Sequence, residues 1–187
     1  MLISKFDTND IESKIREFEK KLQINLPDVY KEFMKKYNGG KTPKTEFKIN
    51  KISSDVRAFY TIGQSDKDYS FDTLIDNKII DEFLEAGMLP IATTIWGDYI
   101  TICIEEKEVG KIYFLYHDRK KRYVLLSEKL DDFISKCKSE KIGHIMTIAE
   151  RKQILQKNGK KLTEEKLKGW QAEIDEYANI HQEEVIL

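Results

Sequence analysis

The sequence predicts an α+β fold. Two amphipathic helices come first, a run of short strands joined by tight turns follows, and a further helix closes that run. Helices segregated from an antiparallel sheet define this class. The first helix is expected over about residues 9–22. Asn9 or Asp10 can cap it, Glu12 lies near its start, and Ile11, Ile15, Phe18 and Leu22 form one stripe. The second is expected over 27–37. Pro27 suits a first helical position because its ring fixes φ and its missing N–H needs no partner there. Val29, Tyr30, Phe33, Met34 and Tyr37 share a face, and Asn38-Gly39-Gly40 stops the helix, since Asn and Gly tolerate the left-handed conformation of a C-cap.

Strand candidates begin after the loop Lys41-Thr42-Pro43-Lys44-Thr45. Glu46-Phe47-Lys48-Ile49 alternates polar and apolar residues, and Val56 to Ile62 reads as another strand. Gly63-Gln64-Ser65-Asp66 has turn composition. Tyr69 to Ala86 is predicted helical with a break near Asp76-Asn77, and Gly87 ends it. Pro90 is expected at a strand edge. Strands at 91–95, 99–105 and 111–117 then form hairpins around Gly97-Asp98 and 106–110, and Tyr123 to Leu126 adds a last short strand. Ser127 is placed as cap of a helix that turns Leu130, Phe133, Ile134 and Cys137 inward.

Three pieces of this order resemble a known family. Glu19-x-x-Leu22-x-x-x-Leu26-Pro27-x-x-Tyr30-x-x-Phe33 followed by Asn38-Gly39-Gly40 is the first. Ile91 to Ile102, with the Gly97-Asp98 turn, is the second. Gly110 to Asp118, ending in His117-Asp118, is the third. Together they resemble the SUKH superfamily (SMI/KNR-like), which includes fungal cell-wall-assembly regulators and many bacterial immunity proteins. The resemblance spans roughly residues 5–138, and Trp96 departs from it, standing where a small residue is expected before Gly-Asp. It implies two N-terminal helices packed beside an antiparallel sheet. It also implies a cytoplasmic immunity protein of a toxin–antitoxin pair, which binds a cognate toxin domain of nuclease or deaminase class. The alternative it leaves is an intracellular scaffold or regulator of the same fold.

Residues 1–138 are therefore assigned to a SUKH-like domain, and 139–187 to a helical C-terminal extension. In the extension one helix is expected over about 145–156, stopped by Asn158-Gly159, and another begins after Thr163. Leu167, Trp170, Ile174, Tyr177 and His181 recur at helical spacing. Residues 151–161 are basic, whereas 164–187 are mostly acidic, so the two halves attract. Either this hairpin packs on the body, or its stripe serves a partner or a second copy.

The bulk numbers bound the function. The chain has 187 residues, 40% hydrophobic and 11% aromatic, enough for a sizeable core. Its net charge of −1 gives no bias toward nucleic acid or membrane. Of its 32 basic residues only Arg16, Arg57, Arg119, Arg122 and Arg151 are arginines, which disfavours bidentate phosphate reading. No leader segment and no membrane-length apolar run stands in the sequence, so a cytoplasmic location is expected. Cys103 and Cys137 form no motif and read as buried thiols. His117, His144 and His181 lie in separate segments, and no nucleophile–base, phosphate-loop or metal-ligand pattern occurs. No catalytic residue, metal ligand or cofactor is therefore assigned.

Two stretches are candidates for partner binding. From Asp66 to Glu85 there are seven acids (Asp66, Asp68, Asp72, Asp76, Asp81, Glu82, Glu85) against Lys67 and Lys78. This run is either the solvated face of a helix or a field that steers toward a basic partner. The Trp96-Gly97-Asp98-Tyr99 turn either displays its aromatics as an interface anchor or buries them in the core. Asp66, Asp68, Asp72, Asp76, Trp96, Asp98 and Tyr99 are the residues assigned to this role.

Overall fold

The computed structural model describes residues 1–63, 66–119, 123–178 and 180–187. Along them the chain runs β1 (Leu2–Lys5), α1 (Ile11–Leu22), α2 (Asp28–Tyr37), β2 (Gly40–Lys41), β3 (Thr45–Ile49), β4 (Ile52–Asp55) and β5 (Ala58–Phe59). Next come α3 (Phe71–Asp76), α4 (Ile79–Glu85), β6 (Met88–Thr93), β7 (Tyr99–Cys103), β8 (Ile112–Leu115), β9 (Tyr123–Ser127) and α5 (Leu130–Lys136). β10 (Lys138–Ser139), α6 (Ile148–Lys157), α7 (Glu164–Ala178) and β11 (Glu183–Glu184) complete it. The strands form two antiparallel sheets, a large one in the order β11-β1-β2-β5-β6-β7-β8-β9 and a small one in the order β10-β3-β4. This is an α+β fold.

The helix pair is held by its connecting loop. The Glu19 carboxylate accepts the Leu26 N–H at 2.7 Å and pairs with Lys31 at 2.9 Å, tying α1 to the start of α2. Pro27 sits one residue before α2 rather than inside it, and its carbonyl accepts from Tyr30 and Lys31. Asp10 precedes α1 in a left-handed conformation and its side chain makes no cap; its backbone carbonyl receives the Ser13 and Lys14 N–H groups instead. Asn38-Gly39-Gly40 does more than end α2. Asn38 is fully buried; its amide donates to the carbonyls of Asp7 and Ile62, and its oxygen accepts the Ile62 N–H at 2.9 Å. A Cβ on Gly39 would collide with the Tyr60 carbonyl, and one on Gly40 with that of Ser4. Helix end and sheet thus meet at backbone distance.

Alternation sorts the sheet residues into two layers. Ile100, Ile102, Ile112 and Phe114 face the main core, where Phe47 of β3 meets Phe114 and Phe133 edge-on, at 6.2 and 5.4 Å between ring centroids. Phe33 of α2 reaches Phe59 of β5 at 5.0 Å. On the other face Phe83 of α4 covers Met88, Cys103, Tyr113 and Leu115. Leu26, Tyr30, Phe33, Tyr113 and Leu115 are buried as expected, and Leu22 only partly.

Several sequence expectations are corrected. Ser127 caps nothing: β9 runs through it to pair with Ile112, and α5 starts after Lys129 without a side-chain cap. Pro90 lies inside β6, at a bulge between Pro90 and Ala92 that removes the need for its missing N–H. The expected 56–62 strand shrinks to Ala58–Phe59, because Ile62 turns to bond Asn38, and the Thr61 N–H donates to the Tyr69 carbonyl. The 69–86 helix breaks where expected: α3 ends at Asp76 with Asn77 as its C-cap, and α4 opens after Lys78, which takes a left-handed conformation. Gln64 and Ser65 of the expected 63–66 turn lie outside the described residues. β1, β2, β4, β10 and β11 carry no period long enough to read from sequence.

The extension leaves the body at β10 and returns to it. α6 opens with a capping box between Thr147 and Glu150. Arg151 is buried and joins the hairpin, pairing with Glu173 at 2.6 Å and lying over Trp170. Leu167, Trp170, Ile174 and Tyr177 are half-buried, and His181 is exposed. Gln182 exchanges hydrogen bonds with the backbone of Ile142, closing the base of the hairpin. β11 then pairs with β1, Val185 joins the core, and the Tyr37 hydroxyl accepts the Ile186 N–H at 3.0 Å.

Candidate partner-binding surface

The turn between β6 and β7 is held from within. Thr94 is buried, and its Oγ1 accepts the N–H groups of Trp96 (3.2 Å) and Asp98 (3.1 Å). The Thr94 carbonyl accepts from Gly97, and the Thr94 N–H donates to Asp98. Asp55, at the end of β4, accepts the Ile95 N–H at 3.0 Å. Every backbone N–H from Ile95 to Asp98 therefore has a partner, which stiffens the turn. Burial holds the Asp55 carboxyl above its ordinary range, and nearby Asp98 adds to the effect.

Asp98 points inward and is only 7% exposed. One of its oxygens accepts the His117 backbone N–H at 3.0 Å and pairs with His117 Nδ1 at 2.8 Å. His117 thus takes its carboxylate from across the β7–β8 hairpin, not from its neighbour Asp118, which faces Arg119. An imidazole oriented by a carboxylate resembles part of a general-base pair, but among the described residues no hydroxyl or thiol hydrogen-bonds to it. Its effect here is to lock the turn onto β8. Among the described residues no group of three or more His, Cys, Asp or Glu side chains could hold a metal ion.

The locked backbone turns two apolar side chains outward: Trp96 is 74% exposed and Ile95 61%. Tyr99 is half-buried, edge-on to Phe83 at 4.9 Å. Of the assigned turn residues, Trp96 is therefore the one presented to solvent, Asp98 holds it in place, and Tyr99 anchors it to α4.

Ile95 and Trp96 stand at one end of a groove of about 1090 Å³, floored by the outer face of the small sheet. Among the described residues, five cations (Lys44, Lys48, Arg57, Lys136, Lys138) and three acids (Glu46, Asp55, Glu140) line it. Lys44 bridges Glu140 at 2.8 Å and Glu46 at 3.7 Å. Sequence reasoning missed this groove, because β4 and β10 have no readable pattern.

The acidic stretch is split by the fold. Asp66 pairs with Lys41 at 2.7 Å and is largely covered. Asp72, in the first turn of α3, faces Lys21 of α1 at 3.8 Å. Asp68 and Asp76 are exposed. Lys41 and Arg57 both lie over the Tyr69 ring, and Arg57 also lines the groove.

The architecture is that of an α+β module presenting a stiff aromatic turn beside a charged groove. The SMI1 / KNR4 family (SUKH-1) matches residues 12–136, and the chain belongs to that family. At the family level this is a protein-binding immunity or regulatory module. No curated protein matches the sequence. Among the described residues, no helix is long and apolar enough to cross a membrane.

Proposed function

We propose that the protein is a non-catalytic immunity protein of the cytoplasm that binds a cognate toxin domain, of nuclease or deaminase class, and masks its active cleft. The observation that carries this reading is Trp96, a large aromatic held outward on a turn whose backbone N–H groups from Ile95 to Asp98 are all hydrogen-bonded. A stiff exposed aromatic loses little conformational freedom on binding, which is what an interface anchor requires. Residues 1–138 form the binding unit in this reading, with 139–187 carried on it. Asp68 and Asp76 set the association rate, Trp96 and Tyr99 the dissociation rate, and Asp98 acts by holding the turn. Asp66 and Asp72 contribute less, since Lys41 and Lys21 offset part of their charge.

The test is to mix the purified protein with nuclease and deaminase toxin domains, beginning with any that is encoded beside its gene. One-to-one binding that abolishes the toxin's activity is expected. Trp96→Ala should weaken binding by about 2 kcal/mol, roughly thirtyfold. Inhibition at trace ratios would point to turnover and sink the reading.

A further inference from the structure

The outer face of the small sheet carries a charge that the sequence as a whole does not. The chain has net charge −1, yet the groove on this face holds five cations against three acids. Its acids are also largely engaged. Glu46 and Glu140 share Lys44, and Asp55 accepts the Ile95 N–H. Lys48, Lys136 and Lys138 are exposed and have no ion pair among the described residues. In the strand register Lys138 stands opposite Glu46, and Lys48 opposite Ser53, so cations and acceptors are interleaved across the face.

We propose that this groove is the docking channel for an extended acidic segment of the partner protein, seated along β10-β3-β4 with an apolar residue against Trp96. The proposal rests on the protein-binding reading above and names the chemistry of the element recognised. The five residues of β3 span about 17 Å at the usual rise of a strand, so a segment of about five residues matches the floor. Carboxylates of such a segment meet Lys48, Lys136 and Lys138, while its side chains of opposite direction leave room for Glu46 and Asp55. A nucleic-acid strand fits less well. Its phosphates are continuous, the three carboxylates of the groove would face them, and among the described residues Arg57 is the one guanidinium in the lining.

The probe is an octapeptide of alternating Glu and Leu, titrated into the full chain and followed by heteronuclear NMR. A Lys–Leu octapeptide and a thymidine octanucleotide serve as comparisons. The Glu–Leu peptide should shift the Trp96 indole N–H and the amides of Lys48, Ser53 and Lys138, and bind more weakly as salt rises. The combined variant K48E/K136E/K138E should weaken it about tenfold or more, because focused charge in a cleft changes association on that scale, while the thermal midpoint stays in place. Tighter binding of either comparison probe at these residues would overturn the proposal, as would a Glu–Leu peptide that shifts none of them. Full-strength toxin binding by the triple variant would overturn the groove and leave the protein-binding reading standing. Peptide seated in the groove with no toxin neutralised would do the reverse.

Discussion

Two aromatic truncations should have opposite consequences, because the fold places one ring in the core and the other in solvent. Phe33 is fully buried, with its ring 5.0 Å from Phe59, 5.4 Å from Tyr37 and 6.0 Å from Tyr30. Phe33→Ala removes the ring from the point where α2 meets β5. Truncations of this kind cost about 3–5 kcal/mol, because transfer energy is lost and a cavity remains. For a chain of this size each kcal/mol lowers the melting temperature by about 2–4 °C, so a fall of roughly 6–20 °C is expected. Trp96 is 74% exposed. Trp96→Ala should change stability by no more than about 0.5 kcal/mol while weakening partner binding roughly thirtyfold. Urea and thermal denaturation followed by circular dichroism give the stabilities, and an unchanged urea slope shows that the unfolded state is comparable. Should Phe33→Ala leave too little folded protein, Phe33→Leu gives a smaller loss in the same direction. The reasoning fails if Trp96→Ala destabilises as much as Phe33→Ala, or if Phe33→Ala is neutral.

Further outcomes follow from individual groups. Among the described residues the buried Tyr30 hydroxyl has no partner, so Tyr30→Phe should be neutral or stabilise by about 1 kcal/mol, measured by urea denaturation; a loss of that size would refute this. Burial pushes the Cys137 thiol up to about 12 and raises that of Cys103, so neither should react with Ellman's reagent at neutral pH until urea unfolds the chain. The Arg151 hydrogen bond holds the Glu173 carboxyl below its ordinary value. A depressed acid contributes stability above its unfolded value and loses it as pH falls through the folded one, so the protection of α6 and α7 against hydrogen exchange, relative to the free-amide rate at each pH, should fall below about pH 4.5; Glu173→Gln should reduce that pH dependence in α7, while Glu150 in the α6 capping box keeps its own share. Deleting residues 183–187 removes β11 and Val185, and should raise exchange at the β1 amides far more than at those of β7.

Much of the fold was legible because its elements carry strong periods. Phe47 and Ile49 are buried and Glu46 and Lys48 exposed, as alternation requires. The helical spacing of Tyr30, Phe33, Met34 and Tyr37 likewise gave the buried face of α2. The misses share a cause. β4 reads Ile-Ser-Ser-Asp and exists as the partner of β3 across a turn with Asn50 at positive φ; β10 and β11 are two residues each, and pairing makes them strands. A ladder partner supplies what local propensity lacks.

The same division holds for the surface. Trp96-Gly97-Asp98-Tyr99 was recognisable as a turn, but its side chains could face either way. The direction depends on Thr94, just after β6, Asp55, the last residue of β4, and His117, just after β8. The acidic run was legible as composition, yet Lys41 and Lys21 pair with two of its members from other elements. By itself the sequence determined the class of fold, the inner faces of the helices and central strands, and the family likeness, because these rest on spacing within a segment. Only the tertiary structure decided that Trp96 is exposed, that Asp98 is structural, that Val185 returns to the core, and that a basic groove lies on a nearly neutral chain. Each of those depends on contacts between residues far apart in sequence, whose energies no local pattern contains.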